Sequence, residues 1–242
     1  MIRGPLFDEG YRPQFSGHET FPLRYGWLKK ACDAVAETED DPENKSVFLD
    51  DDAIAHFGVG KNMVRSMRHW AAAAGIIEDH GTNAIRVTDL GWKLFGARGR
   101  DPYMEHPATL WLIHWNLATN PDKTTWFWVF NHYPAIEFDR KHLVSGLARL
   151  AKERAWSRVA EATIKNDVAC FVRTYFAEKS SSPAGLDDAL ESPLVELGLI
   201  KQFGNGFRFV RGSKSTLGDG VFACALIQFW LSRFSTAATL SF

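Results

Sequence analysis

Lys61, Arg65, Arg68 and His69 sit at helical spacing and form the first group whose types and register could do chemistry. At 100° per residue they share one face, with Asn62 at its start, while Met63, Met67, Trp70 and Ala74 fall opposite. A cationic face backed by an apolar one suits a helix that docks on phosphates, and an Asn there can pair bidentately with an adenine edge. The same pattern also describes an ordinary helix with a solvated basic face.

Two further clusters carry acid, base and cation together. His18, Glu19 and Arg24 lie in a turn leading to a helix. They could point into a cleft, with Glu19 as general base or metal ligand, or form a helix cap with Ser16 or Thr20. Asp101 and Glu105 precede another helix, where they could hold a divalent cation or cap its turn. Basic residues gather again between 140 and 173. Arg149 and Lys152 are candidate DNA contacts there, as are Lys165 and Arg173; Lys165, Asp167 and Arg173 are also second choices for catalytic groups, or form an internal ion-pair network joining the halves.

These groups need elements to position them. Ile54 and Ala55 belong to a short helix that meets the turn Phe57-Gly58-Val59-Gly60, and a second helix spans about 61–74. An apolar strand start at Ile76 and Ile77, a loop with Gly81 and Asn83, and a strand through Ile85 and Val87 follow. Helix, glycine turn, helix and hairpin is the layout of a winged helix-turn-helix. Upstream, Pro22 suits the first turn of a helix carrying Leu23, Trp27, Leu28 and Ala31. Downstream, Gly96 and Gly99 mark a boundary near residue 100. An aromatic middle follows, with Trp111, Trp115 and Trp126; it reads as a core hub or as a stacking platform for an unpaired base. Helices over 139–178, a turn at SSSPAG (180–185) and a hairpin around Gly204-Asn205-Gly206 suggest a second, degenerate winged-helix-like unit over 140–215. An apolar helix closes the chain at 220–234. The expected fold is α+β, mainly α with small β hairpins, divided into residues 1–100 and 101–242.

Net charge is −1 over 242 residues, so the sum does not announce nucleic acid. The charge is segregated, however: nine acidic residues stand against Lys45 between 33 and 52, and eight Lys or Arg against three acids between 140 and 173. Three scattered cysteines give neither a disulfide framework nor metal-ligand spacing. With no apolar signal core and no run long enough to span a bilayer, the expected location is a reducing cytoplasm.

Four blocks carry a resemblance: FSGHETFPLRYGWLKKA (15–31), VGKNMVRSMRHWA (59–71), DPYMEHPATLWLIHWNLA (101–118) and TIKNDVACFVRTY (163–175). Together they resemble the SspB-type family of bacterial proteins, formerly of unknown function. Its members are encoded in DNA phosphorothioation gene clusters beside a cysteine desulfurase, an ATPase and a reductase-like sulfurtransferase. The resemblance implies nicking of double-stranded DNA so that those partners can insert sulfur, and antiviral defence as the setting. Because family members continue past the TLSF segment, it also implies truncation at the C-terminus. No HNH, GIY-YIG or PD-(D/E)xK nuclease constellation is readable. Phosphodiester cleavage needs an activated water and charge stabilisation, with magnesium or manganese as candidate cofactor. His18, Glu19, Arg24, Asp101 and Glu105 are the candidates, being acid, base and cation outside the expected core faces. Two non-nuclease readings stay open: a DNA-binding adaptor that recruits the sulfur-inserting enzymes, and a winged-helix repressor, which would need a dimer interface. Oligomeric state is not legible.

Overall fold

The backbone of Gly26 lies in the left-handed region at φ 76° and decides where the first helix starts. A helix beginning at Pro22 is therefore not formed. Pro22 to Tyr25 approach as irregular chain, and α1 spans Trp27–Glu37 with Leu28, Ala31, Cys32 and Val35 buried. In this computed structural model, residues 4–49, 52–79, 84–157, 159–177, 192–233 and 239 are described. The expected loop at Gly81 and Asn83, the SSSPAG turn and residues 240–242 of the TLSF end lie outside the described residues.

The basic segment folds as the helical spacing predicts. α2 (Ala53–Phe57) ends at Gly58, and α3 (Lys61–Ala73) starts behind an extended Gly60. Val64, Met67, Trp70 and Ala71 pack inward against α1. Next come β1 (Ile77–Glu78) and β2 (Arg86–Val87), which pair antiparallel with Ile77 opposite Val87. The Thr88 hydroxyl accepts from Gly91 N–H and caps α4 (Asp89–Phe95). This small sheet has two strands, and the buried Asn44 amide completes it: Nδ2 donates to the Ile85 carbonyl at 2.8 Å, and Oδ1 accepts from Ile85 N–H at 2.7 Å. One side chain thus satisfies both backbone groups that a third strand would pair.

α5 (Pro107–Thr119) and α6 (Thr124–Asn131) form the aromatic middle. α5 is apolar on nearly every side, as a helix walled in by others must be. Trp126 of α6 lies edge-on to Trp70 of α3 and to Phe171, with ring centroids 5.5 Å away in both cases. Beyond it come β3 (Glu137–Phe138), α7 (Arg140–Glu153), α8 (Glu161–Tyr175), a 3-10 turn at Pro193–Leu197, β4 (Ile200–Phe203) and β5 (Gly206–Phe209). The second sheet has strand order β3-β5-β4, all antiparallel. α9 (Asp219–Arg233) packs on α5. Helices thus dominate, with two small antiparallel sheets, and a single buried apolar cluster runs from Leu6 to Phe207. Among the described residues no helix is long and apolar enough to cross a membrane.

Candidate functional site

The 16–20 loop is the most strained backbone in the neighbourhood of α3. Gly17 has φ 105°, and Glu19 and Thr20, neither of them glycine, have φ 46° and 66°. Such conformations cost of order 1–3 kcal/mol per residue and persist only where surroundings over-determine them. Here the surroundings are explicit. Phe21 N–H closes a turn onto the His18 carbonyl. Thr20 N–H donates to His18 Nδ1 at 3.0 Å, so Nε2 is the nitrogen that donates to Asp167 Oδ1, at 2.7 Å. The Arg173 guanidinium donates to the Thr20 carbonyl. The Phe21 carbonyl accepts from Trp70 Nε1 and from the Cys170 thiol. Gly17 lies flat on His69, where a Cβ would come within 2.3 Å of Nδ1, so any other residue would have to displace the imidazole. The loop therefore rivets α3 to α8.

Beside this rivet opens a cleft of about 710 Å³. Arg65, Arg68 and His69 form its α3 wall, and Glu78 and Asp79 of the hairpin segment line one end. Gln14, Asn120 and Asp122 stand on the opposite side, with Glu19 and Lys123 between. Burial holds the His69 imidazole well below its usual range, reinforced by the charge of Lys123 and by His18 and Arg68, so His69 stays neutral at neutral pH. Burial also lowers the Lys123 ammonium, against the opposing pull of Asp122 and Asp167. Among the described residues, the side chains of Glu19, Arg65 and Lys123 make no ion pair or hydrogen bond. Asp167 Oδ2 is buried without a hydrogen-bond partner.

The residues singled out by type and spacing fall into three groups. Lys61, Asn62 and Arg65 are exposed on α3. Arg68 is half-buried and joins Lys45 on Asp79, with Nε 3.4 Å from Oδ2. His69 does not share their solvated face, because the 16–20 loop covers it; a helical wheel cannot foresee a lid supplied from fifty residues upstream.

The second group was expected outside the core and lies within it. His18, Arg24 and Asp101 are 3%, 6% and 8% exposed. His18 has both ring nitrogens engaged. The Arg24 guanidinium rests over Phe21 and Trp27, 5.5 and 5.6 Å from the ring centroids. Asp101 organises the turn before α5: Oδ1 accepts from Glu105 N–H and Oδ2 from His106 N–H. Glu105 is exposed, and neither it nor Asp101 lines the cleft.

The third group lies on α7 and α8. Arg149 and Lys152 are exposed, with Arg149 set against Glu153 at 3.7 Å. Lys165 is paired with Glu161 at 3.0 Å, and Arg173 is committed to Thr20.

Gln14, Asn120, Asp122 and Lys123 were not anticipated. Gln14 lies in irregular chain and the others in the turn between α5 and α6, and they line the cleft because Trp126 of α6 packs against Trp70 of α3. A signal that was available is the tetrad Lys61-Asn62-Met63-Val64, which returns as Lys165-Asn166-Asp167-Val168. Among the described residues no three His, Cys, Asp or Glu side chains gather as a metal ion requires.

The family described as "Protein of unknown function (DUF4007)" matches residues 15–242. Two solved structures are similar. One is described as "Magnesium ion-bound SspB crystal structure", at 31% identity and TM-score 0.77, covering 91% of this chain and 66% of that one. The other is described as "SspB crystal structure", at 31% identity and TM-score 0.75, covering 89% and 65%. The chain thus spans just under two thirds of the length of the solved proteins it matches. No curated protein matches it.

Proposed function

The chain belongs to this DUF4007 family, and from that premise we propose that it binds double-stranded DNA and nicks it within a phosphorothioation system of the Ssp type. α3 lies in the major groove as the recognition helix of a winged helix-turn-helix, and the β1–β2 hairpin serves as wing. Lys61 and Arg65 meet phosphates, and Asn62 reads a base edge. The partners are the sulfur-inserting enzymes of the same system, which act on the opened strand.

The cleft beside α3 carries this reading. A phosphodiester held along Lys61 and Arg65 reaches a space that contains two carboxylates with no partner among the described residues, Glu19 and Asp122, and a cation, Lys123. Water attacks phosphorus and Glu19 takes its proton. One P–O ester bond breaks, and solvent protonates the leaving oxygen. Lys123 and Arg65 oppose the charge that grows on the phosphoryl oxygens. One of the similar structures is described as magnesium ion-bound. The described residues here offer no three-ligand group, so no step is assigned to a metal.

Plasmid nicking by the purified chain is the test, run without added metal and with magnesium or manganese. Conversion of supercoiled to open-circular DNA, lost in Glu19→Gln, is expected. Binding without nicking under every condition would contradict the nuclease reading.

One observation favours a second reading, the non-catalytic adaptor. α9 leaves Phe222, Ile227 and Leu231 at 54%, 56% and 63% exposed, an apolar surface of the kind that docks another protein. Intact DNA binding with no nicking is the outcome that reading requires.

A further inference from the structure

The two walls of the 710 Å³ cleft differ in chemistry. The α3 wall is cationic, through Arg65 and Arg68. The facing wall carries an amide from Gln14, another from Asn120 and the carboxylate of Asp122. No hydrogen bond from the Gln14 or Asp122 side chain is made among the described residues, and the Asn120 side-chain oxygen already accepts from Asp122 N–H at 2.9 Å. A duplex is too wide to enter, whereas a volume of this size is typical of sites for small organic ligands. A phosphate suits the first wall and is repelled by the second. A nucleobase suits the second, because Asp122 accepts from an exocyclic amine and Gln14 can both donate and accept.

We infer that the cleft receives one nucleotide extruded from the duplex, its phosphate against Arg65 and Lys123 and its base against Gln14 and Asp122. This rests on the DNA-binding reading above and adds the substrate unit and a base preference. The acceptor on the facing wall favours a base bearing an exocyclic amine, cytosine among them, over thymine, which presents only carbonyl oxygens and a ring N–H on that edge. Extrusion is a known means of reaching into a duplex, and its cost falls when the nucleotide is already unpaired. The rivet formed by His18 and Asp167 keeps the walls at fixed separation.

Fluorescence anisotropy with labelled duplexes tests this. Three carry one unpaired position, as cytosine, thymine or an abasic residue, and a fourth is fully paired. The cytosine bulge is expected to bind about tenfold tighter than the thymine or abasic bulge. Asp122→Ala and, separately, Gln14→Ala should shrink that ratio, with the thermal unfolding midpoint as folding control. Equal affinity for the three bulges would overturn the inference while leaving DNA binding by α3 in place. A cytosine preference that survives both substitutions would overturn its assignment to this cleft. Failure to bind any of the four duplexes would overturn the DNA-binding reading, and the inference with it.

Discussion

α3 and α8 are two versions of one helix. Each leads toward an antiparallel hairpin, and each carries Lys-Asn-x-Val, as Lys61 to Val64 and Lys165 to Val168. Shifted by 104 positions, five buried sites coincide: Val64 with Val168, Ser66 with Cys170, Met67 with Phe171, Trp70 with Thr174 and Ala71 with Tyr175. The hairpins agree as well. A left-handed glycine, Gly75 or Gly198, precedes each, and Thr88 N–H donates to Ile76 as Val210 N–H does to Leu199. What differs is the use of the polar positions. Where α3 has Met63, Arg65 and His69, α8 has Asp167, Ala169 and Arg173. α8 turns its acid and its arginine inward onto the 16–20 loop, and its remaining lysine is paired. α3 keeps Lys61 and Arg65 in solvent. One holds a loop and the other keeps its cations in solvent, although the backbone pattern is shared.

The largest expected effect strikes the loop-holding copy. Asp167→Ala removes the buried partner of His18 and should destabilise the fold by about 3 kcal/mol in urea titration. Lys165→Ala, two residues away on the same helix, should cost under ~0.5 kcal/mol. Similar losses in both variants would break the contrast between inward and outward polar groups.

A smaller effect separates the two sheets. Asn44→Ala strands the N–H and carbonyl of Ile85 and should cost about 2 kcal/mol, since buried unpaired backbone groups carry penalties of that order. The second sheet has β3 in this role, so its backbone pairing should be insensitive to any one side chain of that strand. Hydrogen exchange resolves the two: Asn44→Ala should speed exchange at Ile85 and Val87 and leave Phe207 and Phe209 protected.

A third effect is one of pH. Burial lowers His114 from the usual 6.5 to about 3, with its Nδ1 3.0 Å from the Tyr175 hydroxyl. His69 shifts the same way. The unfolded chain takes up these protons near pH 6.5 and the folded chain does not, so stability is full above that pH and declines as pH falls toward about 3. His114→Gln should flatten the decline in the urea midpoint between about pH 6.5 and 4. An unchanged slope would mean that His114 is protonated in the folded state.

Much of this was legible in the sequence. Hydrophobic spacing gave α3, glycine and the Lys-Asn start gave its beginning, and Gly204-Asn205-Gly206 gave the second hairpin. The irregular approach to α1 was hidden, because Pro22 reads as a helix start while the left-handed Gly26 overrides it. β3 is two residues long, too short for any period to reveal. The facing wall of the cleft was hidden for a different reason. Gln14, Glu19 and Lys123 meet only after α6 packs beneath Trp70, and no local pattern encodes that meeting. His18 was misplaced because a histidine in a polar turn looks solvated until its carboxylate, 149 residues away, is known.

The contrast between the two helices reduces to one measurement: the salt dependence of duplex binding for the unaltered chain and for two double variants. Lys61→Ala with Arg65→Ala should weaken binding more than tenfold and reduce the slope of log affinity against log salt by about two. Arg149→Ala with Lys152→Ala, on α7, should change affinity less than about threefold and leave the slope in place. Equal losses in the two variants, or an unchanged slope in the first, would contradict the assignment of the DNA-facing role to α3.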